Sequence, residues 1–289
     1  MTFCVQNIDI RPVKEVGCTH LTICIRLKME TKTSNTLTRE TTDSELDACI
    51  NYAMSKGLKI ALKPHISGAG SGGWSNIQPT NISLWIASLR DNMSYYCAKY
   101  GDKIDIIFLS NECTTQTMTN ESDWVTYHNK IKSILPNVIT TISTTMRELS
   151  TNIVYNIVDV CGVNLYIGIG GDLTTSQKQR NKNVFSNAID KVNYIKIIND
   201  ISTNLNKKFF ITEFGCLNTV YSLTEPAMFD YGEHYVEDLR VQPIYYDTVL
   251  PQLMNNSNII GINIWCANDG WTFIDKPSET TLKKYFGGV

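Results

Sequence analysis

Two glutamates, each closing an apolar run, carry the chemistry that this sequence can do. Residues 104–112 (IDIIFLSNE) form a largely apolar run that ends in an amide, Asn111, and a carboxylate, Glu112. Residues 209–216 (FFITEFGC) form a second such run, with Glu213 toward its end. Runs this short and apolar read as strands buried on both faces, the kind found in parallel sheets covered by helices. Folds of that kind deliver their chemistry from the C-terminal ends of the strands. Hydrolysis of a glycosidic bond needs one carboxylic acid to protonate the leaving oxygen and one carboxylate to stabilise or attack the anomeric carbon. Two strand-end glutamates supply both. A retaining, double-displacement reaction needs its carboxyls about 5–5.5 Å apart, and such closeness raises the pKa of one of a pair, as an acid working near neutral pH requires. The plain alternative for one strand-end glutamate is a solvated side chain or a helix cap; it weakens when two share this arrangement.

The elements that must position these residues alternate along the whole chain. Strand-like stretches fall at 3–8, 20–29, 58–66, 104–112, 138–143, 161–167, 209–215 and 259–265. Helical stretches are expected at 42–57, with Thr42 or Asp43 as cap and Gly57 as stop, and then at 81–100 and 123–135. Further helices are expected at 153–158, 185–205, 243–253 and 279–285, with a poor one at most at 11–17. Eight strands, each followed by a helix or its remnant, predict α/β architecture: a single (β/α)8 TIM barrel spanning residues 1–289 as one catalytic domain. In such a barrel the fourth and seventh strands face each other across the mouth. The GAGSGGW loop (68–74) follows the third strand and opens no immediate helix, so it reads as an active-site loop and not a phosphate cradle.

The bulk numbers remove other classes. A net charge of −2, 19% charged residues and no basic run exclude a nucleic-acid partner. No apolar stretch approaches a membrane span, and residues 1–15 lack the charged and apolar regions of a signal peptide. The expectation is a cytoplasmic chain, or a released or virion-associated one if its source is a phage; the Asn-, Ile-, Lys- and Thr-heavy usage points to an AT-rich genome, viral or that of a low-GC bacterium. Nine cysteines without a C-x-x-C pair read as buried thiols, and the absence of H-x-H and H-E-x-x-H argues against a metal. No cofactor is expected, and nothing fixes an oligomeric state.

The chain resembles the clan A glycoside hydrolases, and within them family 113, the endo-β-1,4-mannanase-like branch. The pieces that carry the resemblance are the Asn111-Glu112 pair and GLKIALKPHI (57–66). With them go Trp74, Ile77 and Pro79 as W-x-x-I-x-P, TEFG (212–215), the Gln242 and Tyr245 helix, and DKPSETTLKKYF (275–286). The family's Arg after the loop Trp is Ser75 here, and the first helix is reduced. The resemblance implies a retaining endo-type hydrolase of a β-linked, mannan-like polysaccharide or oligosaccharide, with Glu112 as general acid/base and Glu213 as nucleophile. It also implies that Asn111 bonds the sugar 2-hydroxyl.

Around that pair, Tyr166, following Asn164 at the sixth strand end, is placed to hydrogen-bond the nucleophile. Trp265 ends the eighth strand and offers a flat face to a pyranose ring, as Trp74 and Trp271 can further out. Lys63 and His65 end the third strand and can reach substrate hydroxyls. A strand-end lysine also forms Schiff bases in barrel aldolases, a rival that would leave both glutamates idle. Two other readings stay open: a barrel that binds glycan without cleaving it, and a hydrolase of bacterial cell-wall or capsular glycan.

Overall fold

The computed structural model describes residues 2–4, 11–68, 77–112, 119–228, 236–266 and 271–287. The chain divides into two compact units: His20–Val163 with Cys4–Asn7, and Asn164–Val289 with Met1–Phe3 and Ile8–Thr19. β1 (Thr2–Cys4) and the short α1 (Arg11–Glu15) open the chain.

The unit built on His20–Val163 is a parallel sheet with helices between its strands. Its elements are β2 (His20–Met29), β3 (Thr38–Arg39), α2 (Asp43–Ser55), β4 (Lys59–Gly68), α3 (Ile82–Tyr100), β5 (Ile106–Asn111), α4 (Glu121–Ile134) and β6 (Ile139–Thr145). β7 (Cys161–Asn164) follows, its last residue opening the second unit. β2 and β4 run parallel from His20↔Lys59 to Met29↔Gly68. β5 lies beside β4 and β6 beside β5, all parallel, and the two-residue β3 adds an antiparallel edge to β2.

Sequence dictates these strands plainly. Ile60, Ala61, Leu62, Ile107, Phe108 and Leu109 are fully buried, as expected for strands covered on both faces. α3 buries Trp85, Leu89, Met93 and Tyr96 along one stripe, and each such large side chain contributes about 1.5–3 kcal/mol. α2 begins with a capping box: Thr42 Oγ1 accepts from Glu45 N, and Glu45 Oε2 accepts from Thr42 N at 2.8 Å.

The Asn164–Val289 unit continues with α5 (Gln177–Val184), α6 (Tyr194–Leu205), β8 (Phe209–Phe214), α7 (Val241–Met254), β9 (Ile259–Ile264) and α8 (Pro277–Phe286). β8 and β9 are parallel, with slips in register around Phe210 and between Ile211 and Phe214.

All eight expected strands have a counterpart, with differences at their ends. β1 covers Thr2–Cys4 of the expected 3–8, whose remainder lies outside the described residues. β7 ends at Asn164, and β4 runs on to Gly68, where the glycine-rich loop begins. The helix expected over 185–205 is corrected to a shorter one, α6 over Tyr194–Leu205, with the separate α5 ending before it at Val184. Phe185 caps α5, and α6 starts afresh after Asn193, whose side chain accepts from Lys196 N. The break has a tertiary cause: Asn187 Oδ1 accepts from Gly168 N at 2.8 Å, and Ala188 N donates to Gly168 O. Those bonds pull residues 187–188 out of any helix, and Asn187 and Lys191 take positive φ. The stretch expected as a helix at 153–158 is a 3₁₀ turn, Ile153–Asn156. Among the described residues no helix is long and apolar enough to cross a membrane.

Candidate active site

In the His20–Val163 unit four expected site residues lie along two neighbouring strands: Lys63 and His65 within β4, which runs on past them to Gly68, and Asn111 and Glu112 at and just after the end of β5. Lys63 and His65, two apart on β4, share one face of the sheet. Lys63 is fully buried, its Nζ 5.6 Å from the centroid of the Phe108 ring on β5. His65 is buried, and its Nε2 lies 3.4 Å from Nδ2 of Asn111. Burial, with the nearby Lys63 charge adding to it, holds the imidazole well below its ordinary pKa. His65 is therefore neutral at physiological pH. A neutral imidazole has one accepting nitrogen, so the Asn111 amide donates to Nε2 and the ring proton sits on Nδ1.

Glu112 follows Asn111 directly and is half-buried. Two backbone features aim it. Phe108 pairs with Thr141 but Asn111 with Ser143, so β5 holds one residue more than β6 between those pairs. Such a bulge bends a strand and redirects the side chains beyond it. Glu112 then takes φ = 50°, the left-handed region that side chains other than glycine rarely occupy. Its N–H donates to Ser143 O at 2.7 Å, which fixes the turn. Sequence reasoning missed this conformation because nothing at position 112 signals it.

In the Asn164–Val289 unit Glu213 is 5% exposed near the end of β8. The Tyr166 hydroxyl donates to Glu213 Oε2 at 2.8 Å, and Leu165 N donates to Glu213 O at 2.8 Å. One carboxylate oxygen is thus held in place, from a residue whose own backbone neighbour is tied to the same strand. The preceding residue, Thr212, is fully buried; its hydroxyl donates to Asn164 Oδ1 at 2.8 Å and its carbonyl accepts from Asn263 Nδ2 at 2.9 Å. Asn164, expected as a sugar contact, is 2% exposed and engaged in this internal network.

Trp265 is half-buried at the end of β9, its N–H donating to Phe214 O at 2.8 Å. Gly215 makes that approach possible, since a Cβ there would stand 2.4 Å from the Trp265 carbonyl oxygen. Trp271 is 6% exposed and meets Tyr166 edge to face, ring centroids 5.8 Å apart, so little of its flat face is open. Trp74 lies outside the described residues. Sequence reasoning assigned no role at the site to Thr212, Asn263 or Gln242. The signal for Gln242 was an amide among the apolar residues of α7, where it is fully buried. Among the described residues no three His, Cys, Asp or Glu side chains are grouped to hold a metal ion.

Comparison with known proteins gives a consistent result. Residues 6–281 match the family model described as Glycoside Hydrolase Family 113. The fold is similar to that of a GH113 β-1,4-mannanase solved as a complex, with a TM-score of 0.79 at 18% identity, covering 96% of this chain and 90% of that one. It is similar also to the GH113 β-mannanase of Alicyclobacillus acidocaldarius in complex with ManMIm, at a TM-score of 0.81 and 16% identity, covering 99% and 96% of the two chains. A GH2 β-galacturonidase from Eisenbergiella tayi matches at a TM-score of 0.60 and 15% identity, over 97% of this chain but 47% of that larger one. No curated protein matches the chain in sequence. The fold class is the (β/α)8 TIM barrel expected from the alternation of strands and helices.

Proposed function

Because the chain belongs to Glycoside Hydrolase Family 113 and is a glycoside hydrolase, we propose that it is a retaining, endo-acting enzyme on a β-linked, mannan-like polysaccharide. Glu213 is the nucleophile and Glu112 the general acid/base. The observation that carries this reading is the Tyr166 hydroxyl on Glu213 Oε2, at 2.8 Å and nearly out of solvent. That bond fixes the orientation of the carboxylate that attacks the anomeric carbon. The mannan-like substrate is supported by the two family-113 structures above, both of them β-mannanases.

In the first step a Glu213 oxygen bonds to the anomeric carbon while the glycosidic C–O bond breaks, and Glu112 gives its proton to the departing oxygen. In the second, water loses a proton to Glu112 and displaces Glu213, so two inversions return the β-configuration. Asn111 bonds the 2-hydroxyl, an interaction that strengthens toward the transition state. Trp265 lies under the sugar ring, Lys63 and His65 order the hydroxyls or the groups that hold them, and Asn164 acts from beneath through Thr212.

The test is incubation with a panel of β-glycans, mannan included, followed by detection of new reducing ends and of the first-formed anomer by NMR. Release of β-anomer from mannan is the expected result; release of α-anomer would rule out double displacement. Glu112→Gln and Glu213→Ala are expected to lower turnover by three orders of magnitude or more, about the loss when a group acting directly on the reacting bond is removed. Both should keep their thermal midpoints near that of the wild type. A variant with near-wild-type turnover would take that residue out of its role. Azide added to the two variants should yield β-glycosyl azide with Glu112→Gln and α-glycosyl azide with Glu213→Ala.

A further inference from the structure

Gln242 is fully buried in the first turn of α7, and all four hydrogen-bonding positions of its carboxamide are filled. Nε2 donates to the carbonyls of Cys216 at 2.8 Å and Trp271 at 3.0 Å. Oε1 accepts from Asn218 Nδ2 at 3.2 Å and from Ser278 Oγ at 2.8 Å. A buried amide left unpaired is costly, whereas a fully paired one fixes its partners in one arrangement. These partners belong to the segment after β8, the Trp271 segment and the first turn of α8.

The contacts close a circuit around Glu213. From Glu213 the chain runs through Phe214 and Gly215 to Cys216, whose carbonyl Gln242 holds. Gln242 also holds the Trp271 carbonyl, the Trp271 ring meets Tyr166, and Tyr166 returns to Glu213 Oε2. A simple helix staple would explain one of these bonds. It does not explain why both donors of one amide go to the two segments that flank the nucleophile.

We propose that Gln242 is a positioning residue for Glu213: its carboxamide sets the place of the Trp271 ring and, through it, the angle at which Tyr166 meets the nucleophile. The proposal rests on the hydrolase reading above. It has a measurable signature, because a residue that acts through another loses its effect once that other is removed.

The experiment measures kcat, KM and thermal midpoint on a β-mannan oligosaccharide for Gln242→Met, Tyr166→Phe and the double variant. Methionine keeps the length and loses every hydrogen bond. Gln242→Met is expected to lower kcat roughly tenfold to a hundredfold with KM changed less than about twofold, the size of effect that a small misplacement of a reacting group produces. The double variant should be no more than about threefold slower than Tyr166→Phe alone. Losses that multiply, or an unchanged kcat in Gln242→Met, overturn the proposal. If Gln242→Met does not fold, Trp271→Phe replaces it in the same cycle under the same criteria. Hydrogen exchange at residues 214–218 and 271–273 separates this proposal from the substrate assignment. Lost protection in Gln242→Met with a wild type inert on every glycan sinks the hydrolase reading and leaves the circuit standing. Unchanged protection overturns the circuit itself.

Discussion

The two glutamates are fixed by different means. Glu112 is turned by its backbone, through a bulge and a left-handed φ, while Glu213 is held by its side chain through Tyr166. A left-handed residue other than glycine costs about 1–3 kcal/mol, which the surrounding structure must sustain. Beside Glu112 the buried His65 makes a pH-dependent contribution of its own. Its pKa is lowered by burial first and by Lys63 second, so between that folded value and the unfolded value of about 6.5 the unfolded chain binds a proton that the native chain does not. Stability therefore rises with pH across this window and is lost on acidification below about 6.5, by up to about 1.4 kcal/mol per pH unit for one group. Urea unfolding at pH 7.5 and 5.5 should show this slope, reduced in His65→Gln. Part of it remains, because burial lowers His20 in the same direction; an unchanged slope would contradict the buried, neutral imidazole. The residue types and strand-end places of Glu112 and Glu213 were legible in the sequence. The hand of the backbone at Glu112 was not, because it comes from pairing with β6, and a single chain segment carries no sign of its partner's register.

At the scale of elements, local signals were read correctly where local bonds decide. Thr42 and Glu45 form the capping box of α2, and Thr42→Ala is expected to cost about 1 kcal/mol, read as a lower urea midpoint at constant m. A midpoint equal to that of the wild type would mean that the box contributes nothing. The helix expected over 185–205 failed where distant bonds decide. Asn187 looks like any helix-interior amide until Gly168 presents its N–H to it. Gly215 is similar: its role is invisible until the Trp265 carbonyl is found against it. Gly215→Ala must push that carbonyl away, so it should lower both the thermal midpoint and kcat, whereas Gly57→Ala, with open space around the added methyl, meets only backbone strain at φ = 71° and should leave kcat unchanged.

For the molecule as a whole, the alternation of apolar runs and amphipathic stretches carried the fold class, because the spacing of buried positions is a property of the chain alone. Among the described residues, Cys18, Cys49, Cys97 and Cys216 are free thiols. Burial pushes the thiols of Cys18, Cys49, Cys97 and Cys216 up, those of Cys49 and Cys97 to about 12. Because the thiolate is the reactive form, iodoacetamide at pH 8 should leave Cys49 and Cys97 unmodified in the folded protein and label both in urea, as read by peptide mass spectrometry. Fast native labelling of either would contradict their burial. The chain between Asn218 and Gln242 leaves and returns through a clamped base. Asn218 Oδ1 accepts from Gln242 N, its backbone carbonyl accepts from Asp238 N, and Thr219 bridges Glu237. Tyr221 and Val236 stand exposed within that excursion. A hem stitched this firmly lets the cloth beyond it be cut to another pattern: the length of chain between Met228 and Val236 can be changed while the bonds at Asn218 and Gln242 stay in place.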